Sequence, residues 1–352
     1  MKIISIVGAR PQFIKSAPVS RAIIEAGYVE YKIHTGQHYD YELSQVFFEE
    51  LYLPEPSINL GIGSGTHAYQ TGQMMIGIES ILMTQNPDVV LVYGDTNSTL
   101  AGALATVKLN IKLAHVEAGM RSYNRLMPEE HNRILTDHCA DFLFCPTRIA
   151  VDNLAREGIT KGVHLVGDTM YDAVLIFAKI AEQKSKILQT HGLKPNEYLL
   201  TTIHRAYNTN HPEVLASIFS AFQRFEDIII FPIHPRTINA VKASNLSIPD
   251  NVKVIDPVGY LDMLVLEKNA RIILTDSGGI QKEAYFFEVP CLTLRSETEW
   301  VETLESGWNL LVGKDPNFIA DIIREHNWPK THNSSLYGDG NASAKIVDLL
   351  YK

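Results

Sequence analysis

Residues 271–283 read RIILTDSGGIQKE, and the architecture of the chain can be worked out from them. Arg271–Thr275 is a short apolar run of strand type. A strand that is apolar along its whole length is covered on both faces, which means a parallel sheet between helical layers. Asp276-Ser277-Gly278-Gly279 is then a turn that opens a helix. Ser277 suits the N-cap, the two glycines let an anion approach the backbone, and the free N–H groups of a helix N-terminus attract one. Glu283 follows about one helical turn later, where a carboxylate can accept two hydrogen bonds from a ribose diol. The bland alternative is an ordinary cap followed by a solvated glutamate.

The same strand–loop–helix order recurs on either side. Strands are expected at Ile3–Val7, Tyr31–Thr35, Val89–Tyr93, Lys112–Val116, Phe142–Cys145 and His164–Val166. A second series follows at Tyr198–Ile203, Ile228–Ile233, Val252–Ile255, Arg271–Thr275 and Cys291–Leu294. Helical patterns lie between them, including Pro11–Ala26, Tyr41–Leu51, His67–Thr84, Ser98–Leu109, Glu129–Cys139 and Arg148–Glu157. The fold class is therefore α/β, with doubly wound parallel sheets. A chain of 352 residues exceeds what one core usually covers, so two domains are expected. The polar, Lys-rich Ala181–Glu197 marks their boundary and divides residues 1–185 from 186–352. Two such domains imply a cleft, with ligands outside the carboxyl ends of the strands.

Composition excludes several classes of function. The net charge of −9 argues against a nucleic-acid binder, which needs a basic face. A hydrophobic fraction of 45% gives enough apolar surface to offset chain entropy, so disorder is excluded as the dominant state. No stretch approaches a membrane span, and the first residues do not form a signal peptide. The three cysteines, Cys139, Cys145 and Cys291, are odd in number and lack metal-ligand spacing. A cytoplasmic protein with neither disulfide scaffold nor metal site is the expectation.

The remaining loops at strand ends carry the chemistry. Gly8-Ala9-Arg10-Pro11 links the first strand to the first helix, and Arg10 and Lys15 add positive charge. The loop has neither G-x-G-x-x-G nor Walker A spacing, so neither a dinucleotide site nor a P-loop is supported. Asp95 follows Val89–Tyr93, Glu117 follows Lys112–Val116, and Glu129 opens the next helix. Each has a plain structural reading as a cap or first-turn acid. Gathered at one end of one sheet, they are the raw material of acid–base work. His204-Arg205 and His234-Pro235-Arg236 end strands of the second series, where histidine can contact phosphate or shuttle a proton.

Taken together, these residues resemble the non-hydrolysing UDP-N-acetylglucosamine 2-epimerase family. The resemblance covers essentially the whole chain. Its carriers are GARPQFIK (8–15), YGDT (93–96), HVEAGMR (115–121), PEEHNR (128–133), His204-Arg205, His234-Pro235, Asp256-Pro257, TDSGGIQKE (275–283), Thr298-Glu299 and YGDG (337–340). It implies a GT-B-like fold of two Rossmann-like domains, with the UDP-binding one C-terminal. A last helix, Ala342–Tyr351, would return to the N-terminal domain. The implied reaction inverts C2 of a UDP-linked 2-acetamido sugar, by elimination of UDP to a bound glycal and re-addition, with no cofactor or metal. The matched positions suggest Asp95, Glu117, Glu129 and His204 as catalytic. Arg10, Lys15, His234, Ser277, Gly278, Gly279 and Glu283 would bind the UDP-sugar. A homodimer is also implied.

Departures from the family pattern narrow the reading. The common GTRPE loop is GARPQ here, with Ala9 and Gln12, and Tyr207 replaces the usual acid after His204-Arg205. Gln37-His38 lacks the methionine-containing continuation that accompanies an allosteric substrate site. Gly36-Gln37-His38, Phe47-Phe48-Glu49, DPVGY (256–260), Glu297–Trp300 and Leu336–Gly338 look closer to the branch acting on UDP-2,3-diacetamido-2,3-dideoxyglucuronate in surface polysaccharide synthesis. A cation for the sugar carboxylate, Arg121 or Arg295, would be its signature. A GT-B glycosyltransferase is the more distant alternative, because fold does not fix function.

Overall fold

The computed structural model describes residues 1–37, 54–333 and 335–351. The helical pattern Tyr41–Leu51, His38 and Phe47-Phe48-Glu49 lie outside the described residues. The chain divides into two compact units, Met1–Ile176 with Ser334–Lys352, and Phe177–Asn333.

The first unit is built on seven parallel strands: β1 (Lys2–Val7), β2 (Val29–His34), β3 (Ile58–Asn59), β4 (Val89–Tyr93), β5 (Lys112–Val116), β6 (Phe142–Cys145) and β7 (Val163–Leu165). Their order is β3-β2-β1-β4-β5-β6-β7. The register pairs Ile3 with Val89 and Ile6 with Val92, so β1 and β4 run side by side at the centre. Ile4, Ile6, Val90 and Val92 are fully buried with Met74, Ile78 and Leu82 of the helix His67–Gln85 and Ala101 of the helix Asn97–Lys108. Each such aliphatic side chain contributes roughly 1.5–3 kcal/mol on removal from water.

The C-terminal segment belongs to this unit. The Asp168 N–H donates to Tyr337 O (2.9 Å), and the Ala342 and Ser343 N–H groups donate to the Asp172 carboxylate (3.2 and 2.7 Å). Asp172 thereby serves the free N–H groups that open the last helix, Ala342–Tyr351.

The second unit has six parallel strands: β8 (Tyr198–Thr202), β9 (Ile228–Pro232), β10 (Val252–Ile255), β11 (Ile272–Thr275), β12 (Cys291–Thr293) and β13 (Asn309–Leu311). Their order is β10-β9-β8-β11-β12-β13. Two Rossmann-like, doubly wound sheets in one chain form a GT-B-like architecture. In each sheet the strand order reverses at one point, between β1 and β4 and between β8 and β11. Ligands of open α/β sheets bind at such a reversal, beyond the carboxyl ends of the strands.

Three local expectations change. β3 and β13 were not anticipated; edge strands of two and three residues are too short to carry a period. Ser277 occupies the N-cap of the helix Gly278–Phe286, but its side chain makes no capping bond. Instead its backbone N–H donates to Thr275 Oγ1 (2.9 Å). Asp95 is not a cap either, because Thr96 takes that position and Thr99 Oγ1 receives its N–H (3.1 Å). Among the described residues, no helix is long and apolar enough to cross a membrane.

Candidate active site

In the first unit the loops after β1, β4 and β5 converge. Gln12 reaches back from the helix Arg10–Glu25 and accepts the Gly8 and Ala9 N–H groups (2.8 and 3.1 Å), while its amide donates to Tyr93 O (2.8 Å) and Thr99 Oγ1 (3.0 Å). One buried amide thus joins the end of β1 to the end of β4. Those two N–H groups are therefore engaged within the protein and do not offer themselves to an anion. Arg10 is partly exposed at the start of the helix.

Lys15 projects one turn further along and places Nζ 2.5 Å from Glu117 Oε1, with both side chains more than nine-tenths buried. Within the protein, the partner of Lys15, expected beside a diphosphate, is this carboxylate. Glu117 has φ +73°, a left-handed backbone that a non-glycine residue adopts only when its surroundings impose it. The imposing contacts are the Glu117 and Ala118 N–H groups, which both donate to Phe144 O (3.1 Å each). Gly94, just before Asp95, passes so close that a Cβ there would lie 3.3 Å from Lys15 Nζ and 3.7 Å from Glu117 Oε1. Lys15 and Glu117 in this way meet at the glycine that precedes Asp95.

Asp95 is held by Arg133, whose Nε and Nη2 both donate to Oδ2 (3.0 and 2.7 Å). Oδ1 makes no hydrogen bond to a described residue and the side chain keeps 28% of its exposure, so one oxygen stays open to solvent. Arg133 also donates through Nη1 to Glu130 Oε2 (2.7 Å). Glu130 is buried and accepts from the Ser122 N–H, the Ser122 hydroxyl and the Tyr123 N–H (2.9, 2.8 and 2.9 Å). Burial pushes its carboxyl up, but these donors and Arg133 more than reverse that and hold it below the usual range. Glu129, its neighbour, is partly exposed and makes no hydrogen bond or ion pair with a described residue. Adjacent glutamates therefore divide between a fixed structural anchor and a carboxylate left available.

Arg121 is fully engaged: Nη1 donates to Asp137 Oδ2, and Nε and Nη2 grip the two oxygens of Glu157, all at 2.7 Å. A cation so committed is not available to a sugar carboxylate.

In the second unit the loops after β8, β9, β11 and β12 carry the polar groups. Asp276 is fully buried and organises them. It accepts the His204 and Arg205 N–H groups (3.0 and 2.9 Å) and the Asn208 amide (3.0 Å). His204 Nδ1 lies 3.3 Å from Asp276 Oδ1. His234 Nδ1 accepts the Arg236 N–H (3.1 Å), and the two histidine rings are 6.1 Å apart. The Ser277 hydroxyl makes no hydrogen bond to a described residue, and the N–H groups of Gly278 and Gly279 fall in the first turn, where no helical carbonyl precedes them. A Cβ on Gly278 would meet Glu299 Oε1 at 2.5 Å and Trp300 Nε1 at 3.2 Å. Glu283 lies on the same helix and is buried. Glu299 is bracketed by Arg205 (3.6 Å) and Arg295 (3.0 Å), and Lys282 sits over the Trp300 ring at 3.7 Å.

Sequence reasoning missed Gln12, Arg133, Asp137 and Asp276 as working residues. For the helix Pro128–Cys139 a signal was there: Glu130, Arg133 and Asp137 recur at helical spacing on one face, and all three are buried. Among the described residues, no three His, Cys, Asp or Glu side chains gather as a metal site.

The family model of UDP-N-acetylglucosamine 2-epimerase matches residues 22–351. A protein of Methanococcus maripaludis named UDP-N-acetylglucosamine 2-epimerase homolog is 54% identical, over 99% of this chain and 99% of its own length. The UDP-2,3-diacetamido-2,3-dideoxy-D-glucuronate 2-epimerase of Pseudomonas aeruginosa is 47% identical over 100% of both. The crystal structure of Methanocaldococcus jannaschii UDP-GlcNAc 2-epimerase in complex with UDP-GlcNAc and UDP superposes with a TM-score of 0.92 at 46% identity, covering 100% of this chain and 99% of that one.

Proposed function

The chain belongs to the UDP-N-acetylglucosamine 2-epimerase family, and we propose that it is an isomerase interconverting UDP-N-acetylglucosamine and its manno epimer. The C2 proton of the sugar is not acidic, so its loss accompanies departure of the diphosphate. The C2–H and C1–O bonds break, a C1–C2 double bond forms, and UDP leaves with the electron pair. Re-addition of UDP at C1 with a proton delivered to the other face of C2 gives the epimer. Asp95, Glu117 and Glu129 are the proton-handling group in this scheme. Arg10 and His204 steady the diphosphate, Ser277 with the N–H groups of Gly278 and Gly279 holds phosphate oxygens, and Glu283 receives the ribose.

One observation carries the reading. Two carboxylates, Asp95 next to Gly94 in the chain and Glu117 packed against that glycine, have different cations, Arg133 and Lys15, as their partners. Two acids in unlike surroundings are what a reaction needs when a proton leaves one face and returns to the other. The test is incubation with UDP-N-acetylglucosamine alone. Appearance of the manno epimer without added nicotinamide supports the reading; an unchanged sugar, or transfer only when an acceptor is supplied, contradicts it.

The diacetamido uronate is a second reading, favoured by the 47% identity to the Pseudomonas enzyme and by Arg295. That guanidinium is buried, and its Nη1 has no hydrogen-bond partner among the described residues. Turnover of the two UDP-sugars side by side separates the readings. The proposal extends to a homodimer working in the cytoplasm in the supply of surface polysaccharide, and sedimentation of the purified chain tests the dimer.

A further inference from the structure

Asp137 has no part in the chemistry just described, yet it touches both loops that carry it. It lies on the helix Pro128–Cys139, fully buried. Its Oδ1 is 2.7 Å from His115 Nδ1, and His115 Nε2–H donates to Gly94 O at 2.7 Å. Its Oδ2 accepts the Gly119 N–H (3.1 Å) and Arg121 Nη1 (2.7 Å). The first arm therefore ends on the residue before Asp95. The second ends two residues after Glu117, at a glycine with φ +80° where a Cβ would lie 2.3 Å from Ala150 O. The same helix holds the Asp95 side chain through Arg133 and the Asp95 carbonyl through Asn132 (2.8 Å).

We propose that Asp137 is a positioning residue for the epimerisation: one buried carboxylate that locks the Gly94-Asp95 loop, through His115, and the Glu117–Gly119 loop, directly, to a single rigid helix. This inference rests on the acid–base reading of Asp95 and Glu117. Its physical basis is that proton transfer at carbon requires the base at one set distance and direction, so a loop free to drift loses rate without losing ligand. Two loops clamped by separate groups would drift separately; a shared clamp keeps their spacing.

The geometry makes a conservative variant informative. In Asp137→Asn the amide oxygen can still accept from Gly119 and Arg121. The amide N–H can donate to a neutral His115 Nδ1, whose Nε2–H still reaches Gly94 O. Every contact can be kept. Asp137→Leu is close in volume and removes them all. Turnover per folded molecule, KM and UDP affinity by calorimetry are the readouts. The expected result is a kcat about 100-fold lower in Asp137→Leu, the scale of a catalytic group displaced by about 1 Å, with the UDP Kd within about threefold of the parent. Asp137→Asn should recover most of that loss.

Should Asp137→Leu not fold, His115→Phe keeps the ring volume and releases only the Gly94 arm. It should lower kcat at least about tenfold with UDP affinity unchanged, a partial form of the same displacement. A folded Asp137→Leu or His115→Phe that turns over within about threefold of the parent would overturn the proposal, as would an Asp137→Asn as slow as Asp137→Leu. Asp95→Asn and Glu117→Gln, measured alongside, separate the two levels. If both are inactive while the Asp137 and His115 variants are fast, only the positioning role fails. If Asp95→Asn or Glu117→Gln keeps its rate, the acid–base reading fails and takes the positioning role with it.

Discussion

The two units use the same sheet topology for opposite kinds of site. In the first, the strand ends carry side-chain charges pinned by other side chains: Lys15 on Glu117, Arg133 on Asp95 and Glu130, Asp137 on His115 and Arg121. In the second, much of the polar surface is backbone. Asp276 folds the His204 loop by accepting its N–H groups, and the first N–H groups after the Ser-Gly-Gly turn have no helical carbonyl before them. On the proposed reaction, the difference follows from what each ligand group would require. A diphosphate is held by fixed dipoles and needs no proton moved, so backbone serves. A carbon-bound proton needs an acid and a base of set position, and only side chains titrate.

The comparison makes a sharp division of effects. The largest is expected in the first unit: Asp95→Asn and Glu117→Gln should each lower kcat by about 10²–10⁴-fold, the usual scale of general acid–base catalysis, with UDP affinity little changed by calorimetry. Equal losses in rate and affinity would erase the distinction between the units. Gly278→Ala should do the reverse. Its Cβ would collide with Glu299 Oε1 at 2.5 Å, forcing the turn or the glutamate to move. Overpacking of this kind costs roughly 1–3 kcal/mol, so thermal stability should fall, and UDP should bind about tenfold more weakly. An alanine variant with parental UDP affinity would show that the turn does not hold the nucleotide.

The smallest effect is a stability difference in acid. Burial raises the Asp137 carboxyl, but His115 and Arg121 outweigh it and hold it below its ordinary 3.8; Glu130 is likewise held below 4.5. Folded-state values below the unfolded ones mean stabilisation that is complete above the unfolded pKa. It is lost as pH falls through those values toward the folded ones. Hydrogen exchange should therefore show the first unit's amides around Ser122 and Gly119 losing protection as pH falls below ~4. Unchanged protection of those amides through that range would contradict the charge-pinned description of the first unit.

How much of this could be read from the residues differs by scale. Several strands of the first sheet were legible: Val89–Tyr93, Lys112–Val116 and Phe142–Cys145 have the expected bounds, because buried parallel strands are apolar runs between turn residues, and the edge strand Val252–Ile255 also has them. So was the placing of the polar loops at their carboxyl ends. The partnerships were not. Nothing in the spacing of Lys15 and Glu117, 102 residues apart, says that they pair and not that Lys15 faces a phosphate. Gln12 looked like a mere departure from a family loop, whereas it joins β1 to β4 through four hydrogen bonds. Ser277 looked like a cap from its residue type, but the cap bond depends on a rotamer. Arg121 looked like a free cation, and only the tertiary fold brings Asp137 and Glu157 to it. Side-chain pairing across long separations is a property of packing, not of pattern.

The account stands or falls on whether the first unit moves a proton at C2. The direct measurement is proton NMR of UDP-N-acetylglucosamine incubated with the enzyme in deuterated water. Carboxylates that take and return the proton exchange it with solvent, so deuterium should appear at C2 as the manno epimer forms, and Asp95→Asn should suppress both together. Epimer that forms with its original C2 hydrogen retained would contradict the assignment of Asp95 and Glu117 as the groups that handle it.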